Sequence, residues 1–265
     1  MIITILFGVV FRVRNIDIVA SQDFMYKTQT KDILSDSKLR KNISIFSVDR
    51  DEIASNIEKE WAYARARVNL SNFTSVKITL SNREPLFYLV QDKKYYILDE
   101  ECKVLEITNN ADLATQYILL NNVFEVTEKT SAGDFLNNKY SNVCEDLYYA
   151  LYSSAVLNLE VEDGTFEDRH LNREDMIEVI SGLKFTQVTE LKGKVDKLIM
   201  TTSYGTTISI IDPQQDMDLK VNMAFSALRT LIERGKGEET SGTILVRYSY
   251  DEKNDYTPKC EYLSE

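Results

Sequence analysis

At 265 residues the chain can make two modest domains or one large one, and 43% hydrophobic with 10% aromatic residues can fill real cores, which excludes a disordered chain. A net charge of −11 argues against a surface built to neutralise nucleic-acid phosphates. Three prolines and nine glycines leave no low-complexity linker, and the scattered Cys102, Cys144 and Cys260 with the lone His170 suit neither a disulfide framework nor a zinc site.

Met1 to Val10 reads Met-Ile-Ile-Thr-Ile-Leu-Phe-Gly-Val-Val. At the helical rise this run covers about 15 Å, half of a hydrocarbon core of roughly 30 Å, so alone it does not span a bilayer. It has neither the basic start nor the small-residue cleavage site of a signal peptide. Two readings remain: a first buried strand, or the outer half of a membrane helix whose basic flank lies upstream. In the second, Ile2, Ile3, Ile5, Leu6, Phe7, Val9 and Val10 are the membrane residues.

From residue 11 to residue 83 the pattern predicts a small βααββ module. Phe11, Val13, Ile16 and Ile18 are the apolar positions of a strand-like run whose spacing slips at Asn15, as a bulge would produce. Gln29 to Leu34 is a short helix with Thr28 available as cap, and Ile43 to Val48 alternates strictly up to Asp49. Asp49 with Glu52 forms a variant capping box, opening a helix with Ile53, Ile57 and Trp61 on one stripe. Arg65 to Leu70 and Ser75 to Leu80 alternate as two strands. Two helices on one face of three strands make a sensible minimal core.

A meander follows. Arg83-Glu84-Pro85 leads into Leu86 to Val90, a charged turn, Tyr95 to Asp99, and then Lys103-Val104-Leu105. Pro85 cannot donate to a ladder and belongs at the start of its strand. Everything from residue 84 onward reads as a second domain.

The order Phe11-x-Val13-x-x-Ile16-x-Ile18, Ile33, Asn42-Ile43-x-Ile45-Phe46-x-Val48-Asp49, Ile53 and Ile57 resembles the POTRA domain of FtsQ/DivIB bacterial division proteins. So do Val76-x-Ile78-x-Leu80, Arg83-Glu84-Pro85, Tyr96 to Asp99 and Val104-Leu105. In that family a membrane helix runs directly into the strand that here starts at Phe11, which favours the truncated-helix reading of residues 1–10. Ala20 and Cys102 stand where the family has Gly, and a non-Gly residue pays to enter φ > 0.

In the second domain, Asn142 to Leu157 carries Val143, Leu147, Ala150, Leu151 and Ala155 at the spacing of a core-facing helix. Glu160, Glu162, Asp163, Glu167 and Asp168 form an acidic stretch whose spacing fits no EF-hand loop, read as a solvated loop, with acid–base chemistry or a hard cation as the alternatives. Strands are expected at Gln187–Leu191, Lys197–Thr202 and Thr206–Ile211, then a helix from about Asp218 with Leu219, Ala224, Leu228, Leu231 and Ile232, ended by Gly235-Lys236-Gly237. Thr243 to Tyr250 is the last strong strand.

The hairpin at Tyr204-Gly205, the Lys-containing helix and the Gly-Thr-Ile strand occur in the order of the closing part of the FtsQ/DivIB β domain. The resemblance covers the chain except Ala111 to Ile180. It implies an α+β protein with a membrane-helix remnant (1–10), a POTRA domain (11–83) and a mostly antiparallel β domain with packed helices (84–265). It also implies a non-catalytic division scaffold, single-pass in the cell membrane at the septum, with no cofactor or metal. The implied partners are FtsB/DivIC-like and FtsL-like proteins, taken up by strand addition along an exposed edge that includes Ile244, Val246, Arg247, Tyr248, Ser249 and Tyr250. The rival reading is a cell-wall hydrolase using carboxylates of the 160–168 stretch.

Overall fold

The structure is a computed structural model that describes residues 11–121, 123–160, 164–190, 193–234, 241–250 and 256–264. The expected membrane residues Ile2, Ile3, Ile5, Leu6, Phe7, Val9 and Val10 lie outside these, and no helix among the described residues is long and apolar enough to cross a membrane. The architecture is α+β, with mixed and antiparallel sheets. The chain divides into two compact units, the first running to Glu84 and also taking in Lys103–Glu106 and Thr130–Asp134.

In the first unit, β1 (Asn15–Ala20) lies parallel to β3 (Ser75–Asn82), which is antiparallel to β2 (Ala64–Asn72), giving the order β1-β3-β2. The slip at Asn15 is real: the amides of Arg14 and Asn15 both donate to the Thr74 carbonyl, at 2.7 and 3.2 Å. Regular pairing therefore starts at Asn15 rather than Phe11, and residues 11–13 instead bond to Asn42, Ile43 and Ile45. That diversion also ends the alternation of Ile43 to Val48. After an isolated bridge between Arg12 and Ser44, the segment closes into a 3-10 turn at Ile45–Ser47, which buries Ile45 and turns Phe46 outward.

Helix α1 (Thr30–Asp36) follows a 3-10 turn at Lys27–Gln29 and has no side-chain cap, so Thr28 does not play the part expected of it. Helix α2 (Arg50–Glu60) is capped by Asp49, whose carboxylate accepts from the amides of Asp51 (3.1 Å) and Glu52 (3.0 Å). Its Ile53 and Ile57 join Ile33, Val68, Val76, Ile78 and Leu80 in one core, while Trp61 donates its indole N–H to Asp36 at 2.9 Å. A buried charge cluster lies beside this core. Glu58 Oε1 accepts from the Ala66 amide (2.8 Å) and its Oε2 from Arg83 Nη2 (2.7 Å), while Lys103 Nζ donates to the Glu58 carbonyl (2.7 Å). Glu58, Arg83 and Lys103 are 7%, 4% and 0% exposed.

Further strands are β4 (Phe87–Gln91), β5 (Lys94–Leu98), β6 (Val104–Thr108), β7 (Ile118–Asn121), β10 (Ile180–Glu190), β11 (Gly193–Thr202), β12 (Thr207–Ile211), β13 (Gly242–Tyr250) and β14 (Tyr256–Ser264). They form one nine-stranded sheet in the order β14-β13-β12-β11-β10-β7-β4-β5-β6. A separate hairpin pairs β8 (Val156–Glu160) with β9 (Phe166–His170), and the remaining helices are α3 (Ala111–Ala114), α4 (Ser141–Ser154), α5 (Arg173–Val179) and α6 (Met217–Glu233).

The charged turn of the meander is a two-residue hairpin with Asp92 at φ 51° and Lys93 at φ 63°, the primed geometry whose twist matches its strands. Cys102 takes φ 60°, the conformation for which the resemblance implied Gly, and its side chain is buried. Helix α4 buries Val143, Leu147, Ala150 and Leu151 but stops at Ser154, because Val156 already pairs with His170 in the β8–β9 hairpin. Strand β10 begins seven residues before the expected Gln187: Ile180, Leu183 and Phe185 are its buried positions, the last two paired with Met200 and Leu198 of β11.

Candidate docking edge at the C-terminal strands

The site turns on which way the last strands direct their backbone groups. Strand β13 lies parallel to β12, with Thr207 opposite Thr243 through Ile210 opposite Val246. On its other side it is antiparallel to β14, with Gly242 opposite Ser264 through Tyr250 opposite Tyr256. Thr243–Val246 therefore has a neighbour on each side and is not the exposed edge expected of it, while Arg247–Tyr250 runs on past β12 paired to β14. Among the described residues the strand at this end of the sheet is β14.

The residues expected to bind a partner are placed as follows. Ile244 and Val246 are fully buried in the core. Arg247 Nη2 meets Glu261 Oε2 of β14 at 3.3 Å. The Tyr248 hydroxyl donates to the Asp216 carboxylate, and its ring lies 5.0 Å from Lys220 Nζ. Ser249 sits opposite Thr257, and the Tyr250 backbone opposite Tyr256.

Lys220 is the hub of this end of the sheet. It rises from the first turn of α6 with no exposed surface, and its Nζ donates to the carbonyls of Ile211 (3.0 Å) and Asp212 (2.6 Å) where β12 ends. Burial pushes its pKa down from 10.5 to about 8, against the pull of Asp212 and Asp216. Asp212 and Asp216 both hold positive φ, so the turn between β12 and α6 is a strained link closed by this lysine.

Strand β14 escapes a reading of the sequence because Pro258, Lys259 and Glu261 interrupt its apolar residues, and a proline demotes a strand in any pattern search. The same proline fixes its role. Proline has no N–H, so within a sheet it suits a position whose nitrogen faces away from the neighbouring strand. Backbone direction repeats every two residues, which sets the amides of Cys260 and Tyr262 toward the same outward side. The other face agrees. A Cβ at Gly242 would meet the Leu263 carbonyl at 2.7 Å, so Leu263 points its backbone at β13. Among the described residues β14 thus directs an outer row of backbone groups, centred on Cys260, away from the sheet it closes. Tyr262 and Leu263, 37% and 50% exposed, continue that edge toward the end of the strand. The signal that could have located it is the Thr257-x-Lys259-x-Glu261 alternation, three polar side chains on one face of an edge strand.

The acidic stretch offers a different arrangement. Asp168 pairs with Arg229 Nη2 and accepts from Asn158 Nδ2 (3.1 Å), and Glu167 is exposed. Glu162 and Asp163 lie outside the described residues, as does the side chain of Glu160. His170 is exposed on β9. Among the described residues no group of three His, Cys, Asp or Glu side chains could hold a metal ion. Cys102 and Cys144 are both buried, and a hydrogen bond between the two thiols, together with burial, pushes the Cys102 pKa up, so it is a poor nucleophile. No protein-family model matches the chain, and no curated protein matches it.

Proposed function

We propose that this protein is a non-catalytic scaffold of the FtsQ/DivIB type that stands beside the cell membrane at the division septum and captures FtsB/DivIC-like and FtsL-like partners by strand addition. Residues 1–10 would supply the membrane approach and the βααββ unit the POTRA module. The order β1-β3-β2, with β1 parallel to β3, is compatible with a POTRA module. The receiving strand is β14 rather than β13. The observation that carries this reading is that β14 ends the nine-stranded sheet with Pro258 in its run, so an incoming chain finds an outward ladder already aligned.

Two substitutions at one position test it. Cys260→Ala trims the side chain and keeps the amide; Cys260→Pro removes the outward N–H and sets a ring in the path of the partner. Both lose the contact of the thiol with the Met223 carbonyl at 3.7 Å, so that loss cancels in the comparison. One lost ladder bond is worth about 0.5–1.5 kcal/mol, and the clash adds to it, so Cys260→Pro should bind the partner's extracytoplasmic segment roughly tenfold more weakly than Cys260→Ala. Equal affinities, measured by anisotropy of the labelled segment, would remove β14 as the receiving edge.

A further inference from the structure

Three phenylalanines meet at one end of the first unit. The Phe11 ring centroid lies 5.5 Å from that of Phe46 and 5.5 Å from that of Phe73. Phe46 is 62% and Phe73 69% exposed. They come from three separate places: the lead-in to β1, the 3-10 turn before α2, and the tip between β2 and β3. Each turn also has a closure of its own. The β2–β3 turn is closed by Asn72, whose side-chain oxygen accepts from the Thr74 amide at 2.8 Å, and the 3-10 turn buries Ile45 instead. An exposed aromatic patch of this kind marks a contact with a protein or a membrane.

Its surroundings name the occupant. Phe11 continues directly from the apolar run Met1–Val10. Arg12, Arg14, Arg40 and Lys41 are all exposed, and the backbone ties them to the same end. The Asn42 amide donates to the Val13 carbonyl (2.8 Å), the Ile45 amide to that of Phe11 (2.8 Å), and the Arg14 amide to that of Thr74 (2.7 Å). Asp49 caps α2, and the Asp17 backbone sits opposite that of Lys77 across the β1–β3 ladder. A cationic, aromatic tip on a chain of net charge −11 is the composition expected of a surface that meets anionic headgroups.

We propose that this tip rests in the interfacial layer of an anionic bilayer, with Phe46 and Phe73 at the acyl boundary and Arg12, Arg14, Arg40 and Lys41 against lipid phosphates. The inference rests on the membrane-side reading given above and adds a second contact to it. The tip adds to the first unit a contact of its own with the lipid surface.

The test uses the full chain. Trp61 is the only tryptophan, so the unsubstituted protein serves as the blank for Phe46→Trp. The vesicles are three parts phosphatidylcholine to one part phosphatidylglycerol and carry brominated acyl chains. On binding them, emission from the indole introduced by Phe46→Trp should shift to the blue and lose at least about half its intensity, while Trp61 in the blank changes little. The Phe46→Ser/Phe73→Ser pair should bind these vesicles about tenfold more weakly, and pure phosphatidylcholine should weaken the unsubstituted chain by a similar factor. Vesicle binding with the introduced indole unshifted and unquenched would overturn the tip contact and leave membrane anchoring standing. No vesicle binding at all would overturn both, and equal binding to neutral and anionic vesicles would remove the basic residues from the contact.

Discussion

Replacing Glu58 by Gln probes the buried charge cluster of the first unit. The carboxylate satisfies two donors at once, the Ala66 amide at 2.8 Å and Arg83 Nη2 at 2.7 Å, and stands 3.8 Å from Lys103 Nζ. Glutamine has one side-chain acceptor oxygen and no charge, so it can serve one donor and must turn N–H groups toward the other. Arg83 keeps its bond to the Ala64 carbonyl, at 3.3 Å, and Lys103 its bond to the Glu58 carbonyl, so the loss is partial. Removing one member of a buried ion pair costs about 3–5 kcal/mol, and those retained bonds place the expected cost near the lower end, about 3 kcal/mol. With a urea slope of about 1.5 kcal/mol/M, the unfolding midpoint should fall by about 2 M. Trp61, packed against Tyr26 at 4.9 Å between ring centroids, reports this unit directly by its fluorescence. A midpoint within about 0.3 M of the unsubstituted protein would show that the cluster is not what holds this unit.

Other outcomes follow from the second unit. Lys220 is protonated less readily folded (about 8) than at its ordinary 10.5. Between these values the unfolded chain binds a proton that the folded one does not. Stability therefore rises with pH across that window, by about 3 kcal/mol from this group alone, and the gain is lost again as pH drops back to 8. Lys220→Met should abolish that rise in urea midpoints followed by far-ultraviolet circular dichroism; parallel curves from pH 7 to 10.5 would refute it. At Cys102, held at φ 60°, both Gly and Ala lose the buried thiol, but only Gly takes this conformation without strain. Cys102→Gly should melt at a higher temperature than Cys102→Ala, with about 1 kcal/mol between them, and the reverse order would contradict the assigned backbone.

The sequence showed most where side-chain period and burial coincide. Ile53 and Ile57, the β2 and β3 alternation, and the Asp49 cap could be read because each is a local pattern with one physical cause. The Asn15 slip was visible for the same reason. What stayed hidden depends on partners distant in the chain. Nothing local marks Glu58 as a buried acceptor for Arg83, and Ile43–Val48 alternates like a strand yet turns because Phe11 and Val13 bond to it from one side only. The error at the candidate site had the same origin. The apolar density of Thr243–Tyr250 marks a strand, but whether that strand is an edge depends on a later segment whose proline and charges disguised it. Density of Ile, Val and Tyr tracks burial between two neighbours, so it argues for an interior strand, and polar alternation was the better guide to the edge.

The central claim, capture of a partner chain along β14, is tested most directly by residue-resolved amide hydrogen exchange of the intact protein with and without the partner's extracytoplasmic segment. The amide of Cys260, which faces away from β13, should slow by at least about tenfold on binding, while those of Lys259 and Glu261, already paired to Arg247 and Leu245, should change little. Binding that leaves Cys260 exchanging at its free rate would contradict the account.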